Sequence, residues 1–189
     1  MAERQEGPGY LPTEGLTQEE DEQLTDLLSK WKGGRISAPV FTELARIIPQ
    51  SIVEVVVFRK NGNTLETLLI PRPADDIVWP GMYHTPGTAL RLTDFHREDQ
   101  NPLNGAFERL QHGELKSEFV KTPTFAGRLH RLADRGPEVA EIYFATLPGD
   151  SASDDNIWYP VDQLSQNPKF IQYQLGHVLM AAEQYRNLA

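Results

Sequence analysis

The sequence predicts an α/β protein, a layered sandwich with a helical extension at its N-terminus. Three observations predict it. A continuous apolar, β-branched run at Ile52–Phe58 is followed by a hairpin signal. An amphipathic helical pattern sits in the middle of the chain, with strand-like stretches on either side. A second helical pattern closes the C-terminus. Strands before and after a central helix bury both faces of one sheet only if helices cover both, which is the α/β/α arrangement.

In chain order, residues 1–15 mix charge with Gly and Pro without periodicity and read as a disordered tail. Residues 16–50 read as the extension. Thr17 and Glu20 form a capping box, and Leu24, Leu27, Leu28 and Trp31 recur at helical spacing until Gly33–Gly34. A second helix starts after Ser37 with Pro39 in its first turn. From residue 51 the chain reads as the main domain, 51–189. Ile52–Phe58 fits a strand buried on both faces, Asn61–Gly62 a hairpin turn, and Leu65–Ile70 the returning strand. Asn101–Leu115 reads as a helix with Leu103, Ala106, Phe107 and Leu110 on its apolar stripe. Phe119–Leu132 and Val139–Leu147 read as strands, and Pro168–Leu188 as the final helix.

Composition narrows the function classes. At 189 residues, 39% hydrophobic and 24% charged, the chain suits one domain with a real core. A net charge of -9 argues against a general nucleic-acid binder, since phosphate backbones demand basic surface. No apolar run approaches the roughly 18 residues a membrane span needs, and no secretory signal pattern opens the chain. The absence of cysteine removes disulfides, thiolate metal sites and a cysteine nucleophile, and a cytoplasmic location is the expectation.

Four motifs in order resemble a known family. They are Phe41-Thr42-Glu43-Leu44-Ala45-Arg46-Ile47-Ile48-Pro49, the glycine loop at Pro86-Gly87, Ala106-Phe107-Glu108-Arg109-Leu110 with Glu114-Leu115, and Trp158-Tyr159-Pro160-Val161-Asp162-Gln163-Leu164. Together they resemble the Nudix hydrolases, most closely the GDP-mannose mannosyl hydrolase branch, over about Pro39–Leu188. The resemblance implies a mixed sheet within the sandwich. It also implies Mg²⁺ (or Mn²⁺), a nucleotide-type small-molecule ligand and a homodimer. Carried over by residue, Glu114 and the Gly87 carbonyl become metal ligands, and Arg109 becomes the residue that orients the ligating carboxylates. Arg72 becomes the diphosphate contact. Mg²⁺ prefers such oxygen donors, and a guanidinium fork matches a diphosphate.

The chain also departs from the pattern. Gly113 replaces the first of the paired glutamates, and Thr88 replaces the second glycine of the loop. The segment Leu90–Asn104 is longer than the family's, leaving Glu98 as a candidate for the acid between loop and helix. Where the branch carries a Gln-His pair before the late tryptophan, this chain has Ala152 and Ser153. Asp154 and Asp155 stand nearby as candidate general bases, a role a carboxylate fills when its pKa is raised. Tyr83 and His84 are candidate substrate contacts, with loop packing as the competing role. Two functions follow. One is metal-dependent hydrolysis of a nucleoside diphosphate linked to another moiety, with a nucleotide sugar as the nearest class. The other is a Nudix-fold ligand-binding or protein-interaction domain without catalysis.

Overall fold

The structure, a computed structural model, describes residues 15–31, 37–149 and 156–188. The chain divides into two compact units at Gly33–Gly34, where the sequence predicts the first helix to end. Within the first unit the described structure is helix α1 (Gln18–Lys30). Its capping box forms as read: the Glu20 amide donates to Thr17 Oγ1, and the Thr17 amide donates to the Glu20 carboxylate.

The second unit begins with α2 (Ala38–Ile47), whose Ala45 is buried. Among the described residues seven strands follow: β1 (Gln50–Asn61), β2 (Thr64–Pro71), β3 (Tyr83–His84), β4 (Gly87–Ala89), β5 (Thr124–Ala133), β6 (Gly136–Ala145) and β7 (Ile157–Pro160). They form one mixed sheet in the order β3-β2-β1-β6-β5, with β4 added to β1 and β7 to β2. The β1–β6 pairing is parallel, Gln50 opposite Glu138 through Val57 opposite Ala145. The other pairings are antiparallel. The β1–β2 turn centres on Gly62 and Asn63, one residue later than Asn61–Gly62, because Asn61 pairs with Thr64. Gly62 adopts φ 58°, which glycine tolerates without strain.

Both faces of β1 are covered, as its unbroken apolar run implies. Ile52, Val56 and Phe58 pack with Phe170, Val178 and Ala181 on the side of α5 (Leu175–Leu188). Val53, Val55 and Val57 pack with Ala106, Phe107, Leu110 and Leu115 on the other. Each fully buried Val or Leu of this kind contributes about 1.5–3 kcal/mol.

Local chemistry moves several boundaries. A short helix, α3 (Leu92–Phe95), precedes α4 (Pro102–Arg109), which Asn101 caps by accepting from the Leu103 amide. Beyond Arg109 the helix widens to a π-turn over Leu110–Leu115 and stops at Lys116, φ 50°. The final α-helix starts at Leu175 rather than near Pro168, because tight 3₁₀ turns occupy Val161–Gln166 and Gln172–Gln174. No helix among the described residues is long and apolar enough to cross a membrane.

Candidate functional site

The site is built on Gly87. The amides of Val55 and Leu90 donate to the carbonyls of Pro86 and Ser51. With Glu54 opposite Gly87 in the register, these bonds put Gly87 between the hydrogen-bonded positions of the ladder. At such a position the N–H and C=O both turn away from the partner strand, while facing side chains come closest. The Gly87 N–H accordingly leaves β1 and donates to Glu114 Oε2 at 3.2 Å. A Cβ at Gly87 would lie 2.8 Å from Glu54 Oε2, so only glycine lets this acid stand over the loop. Thr88, by contrast, occupies an ordinary backbone conformation, and the loop needs no glycine there.

Glu114 comes to this place on the π-turn. It is half-buried and lines a groove of about 570 Å³ with Thr88, Arg91, Arg109 and His112. That volume lies within the usual range of small-ligand sites. Desolvation pushes the Glu114 carboxyl up to about 7 against the Gly87 amide, and the charge of Glu54 adds to the rise. Glu54 is itself buried, and desolvation lifts it to about 7 despite Arg131, Thr85 and Gln174. Two acids thus meet one glycine, and the charge of Glu54 disfavours that of Glu114, while Glu138 acts on Glu54 in the same sense.

Arg109 faces the same groove, but its guanidinium is held from behind. Nη1 pairs with buried Asp94, and Nη2 donates to the Ala89 carbonyl at 3.0 Å. Its Nε is buried with no partner among the described residues. Asp94 also accepts from the Arg91 amide at 2.7 Å. Glu108 pairs with Arg97 instead of Arg109. Glu98, the candidate acid between loop and helix, is exposed, while Asp94 is the acid that reaches the arginine.

Arg72 lies at the end of β2, near enough to Glu114 to lower its pKa. Its guanidinium is clamped by Asp76 through Nε at 2.9 Å and Nη2 at 2.5 Å. It also lies 5.6 Å from the Trp79 ring, which is buried and donates from Nε1 to Asp134. Tyr83 fixes the C-terminal segment: its amide donates to Lys169, and its carbonyl accepts from Ile171. Its ring packs on the α5-side core. His84 is buried, with Nδ1 2.7 Å from the Thr85 carbonyl. Burial and then Arg72 lower its pKa to about 4, so its ring is neutral at neutral pH. Asp154 and Asp155 lie outside the described residues.

Several groups at the site escape a motif reading: Glu54, Thr85, Asp94 and Gln174. Glu54 did leave a signal, as an acid inside an otherwise apolar strand. Asp94 sits on the short helix α3 and meets Arg109 of α4, while Thr85 and Gln174 come from a loop and a turn, joined by the pairing of β4 with β1 and the arrival of the segment before α5.

A hard divalent cation takes oxygen donors. Glu114 and the Gly87 carbonyl, which the register turns to the Glu114 side, are of that kind. Among the described residues no three His, Cys, Asp or Glu side chains gather as a metal cluster. These two oxygen donors are of the type Mg²⁺ accepts when water and ligand phosphate oxygens fill the rest of its shell.

No protein-family profile and no curated protein matches this chain. Solved structures do. The chain is similar to the Nudix domain of Shewanella oneidensis NrtR complexed with ADP ribose, at TM-score 0.57 and 18% identity over 85% of this chain and 97% of that one. It is similar to a mutT/nudix family protein from Listeria innocua at TM-score 0.54 and 16% identity, over 74% and 96%. The chain has the Nudix fold. Shewanella oneidensis NrtR complexed with a 27mer DNA shares it at TM-score 0.56 and 20% identity over 71% of this chain. This chain spans 61% of that longer one.

Proposed function

We propose that this protein is a Nudix-type hydrolase that uses one divalent cation, Mg²⁺ or Mn²⁺, to cleave a nucleoside diphosphate linked to another moiety. The observation that carries the reading is Glu114. A half-buried carboxylate raised to about 7, with a second buried acid beside the same glycine, is costly for the folded chain. A divalent cation on the groove side repays that cost, whereas a purely structural role would be served better by a neutral side chain. Such clustering of perturbed acids in a groove is characteristic of functional sites.

In this reading Glu114 and the Gly87 carbonyl hold the cation, which neutralises charge developing on the diphosphate. Arg72, pre-set by Asp76, meets the phosphates with its remaining donors. Arg109 and Asp94 brace the wall of the groove behind them. Asp154 and Asp155 are the proposed bases that take a proton from the attacking water. ADP ribose, present in one solved Nudix domain, and nucleotide sugars share the required chemistry, a diphosphate between a nucleoside and a sugar. A homodimer is part of the proposal on the family resemblance alone.

The second reading is a ligand-binding domain without turnover. It is favoured by Gly113, which leaves the π-turn one acid short, and by the absence of a three-ligand cluster among the described residues. One experiment separates the two. The protein is incubated with Mg²⁺ or Mn²⁺ and a panel of nucleotide sugars, dinucleotides, ADP ribose and nucleoside triphosphates, and product release is followed. Turnover above the Glu114→Gln variant supports hydrolysis. Saturable binding without turnover supports the second reading.

A further inference from the structure

Three buried side chains close a hydrogen-bonded ring behind the glycine loop. Thr85 Oγ1 donates to Glu54 Oε2 at 3.0 Å. Gln174 Nε2 donates to Glu54 Oε1 and Oε2 at 3.1 and 3.2 Å. The Thr85 amide donates to Gln174 Oε1 at 3.1 Å, completing the circuit. Thr85 is fully buried, and Glu54 and Gln174 are each 3% exposed. These residues come from three separate parts of the chain: β1, the loop between β3 and β4, and the turn before α5.

In the ring both partners of Glu54 act as donors to its carboxyl oxygens. Gln174 turns its amide nitrogen to Glu54 and its oxygen to Thr85, satisfying both ends. Arg131 approaches from the far side, with Nη2 3.5 Å from Glu54 Oε1, and is anchored by Glu138 and stacked 4.3 Å from the Tyr173 ring. The carboxyl is thus held by Thr85, Gln174 and Arg131, with His177 Nδ1 3.9 Å from Oε1, while Gly87 lies against Oε2. Two residues beyond Thr85, that glycine holds Glu114 through its N–H.

We propose that Thr85, Glu54 and Gln174 are positioning residues that set Gly87 and Glu114 for the cation. This rests on the cation-site reading above. The ring fixes the main chain at Thr85 and the depth of the loop against β1, and so aims the Gly87 N–H and C=O. It also ties the C-terminal segment to the site, since Gln174 leads directly into α5. Groups behind a metal ligand ordinarily change affinity 10- to 100-fold when removed.

The test is Mn²⁺ binding to the full chain, followed by loss of the free-ion paramagnetic resonance signal, with folding checked by thermal melting. Thr85→Val keeps the shape and removes the donor, while Thr85→Ser keeps the donor. The expected result is affinity about tenfold weaker for Thr85→Val and within about twofold of wild type for Thr85→Ser. If Thr85→Val does not fold, Gln174→Met is read in the same way. Wild-type affinity in the folded Val or Met variant overturns the positioning role, as does equal weakening by Val and Ser. A wild-type protein that takes up no Mn²⁺ overturns the cation site itself, and the ring's role with it.

Discussion

The carboxylate of Glu54 stands against Gly87, its Oε2 only 2.8 Å from where a Cβ of that residue would lie. The pairing of β4 with β1 sets them opposite each other at the point of closest approach in the ladder. Gly87→Ala therefore forces either the loop or the carboxylate to move, and the loop also carries the amide that holds Glu114. A loss of about 1–3 kcal/mol is expected, as for other overpacked positions. Thermal melting measures it, and an unchanged melting temperature would show that the loop yields freely.

Asp94 and Arg109 form the second fixed pair. Asp94→Ala removes the partner of a guanidinium that is three-quarters covered and whose Nε is already unpartnered. It also strips the acceptor from the Arg91 amide. The expected cost is about 3 kcal/mol, the lower end for breaking a buried ion pair. In a chain of this size that lowers the melting temperature by about 6–12 °C. Glu98→Ala, altering an exposed side chain, should leave it unchanged.

The raised acid at Glu114 makes a prediction about pH. A carboxyl whose pKa is higher folded than unfolded costs nothing below the unfolded value of 4.5, where both states are protonated. The cost grows as pH rises from 4.5 towards 7 and is fully present above that. Without divalent cation, Glu114→Gln should match wild type at pH 4 and be more stable at pH 8, by roughly 1–3 kcal/mol. Adding Mn²⁺ at pH 8 should raise the wild-type melting temperature alone. A glutamine variant less stable than wild type at pH 8 would place Glu114 among the structural residues.

Arg72→Lys removes the fork that Asp76 clamps while keeping the charge. Loss of one charged hydrogen bond to a diphosphate weakens affinity about tenfold. Titration with ADP ribose and a nucleotide sugar tests this, and equal affinity for the variant would remove Arg72 from the ligand's path.

Much of the fold was legible because it rests on local pattern. The apolar run of β1, the glycine in the first turn and the stripe of α4 each state their structure in consecutive residues. β3 and β4 were not legible: two and three residues long, they are strands only because β2 and β1 lie beside them. The π-turn at Leu110–Leu115 keeps a helical-looking stripe, so its wider hydrogen bonding leaves no periodic signature. At the site, Gly87 and Glu114 could be named from motifs, and the structure brings them together. Asp94 could not, because the lengthened segment after the loop disguises its spacing to Arg109. Thr85 and Gln174 are 89 residues apart and meet only through the folded sheet.

The most direct test is a crystal of the protein soaked with Mn²⁺ and a non-hydrolysable nucleoside diphosphate sugar, with anomalous scattering recorded at the manganese edge. An anomalous peak bonded to the Glu114 carboxylate and the Gly87 carbonyl, with phosphate oxygens completing its shell, is the predicted result. Ligand bound in the groove with no peak at Glu114, or manganese held by other residues, would contradict the account.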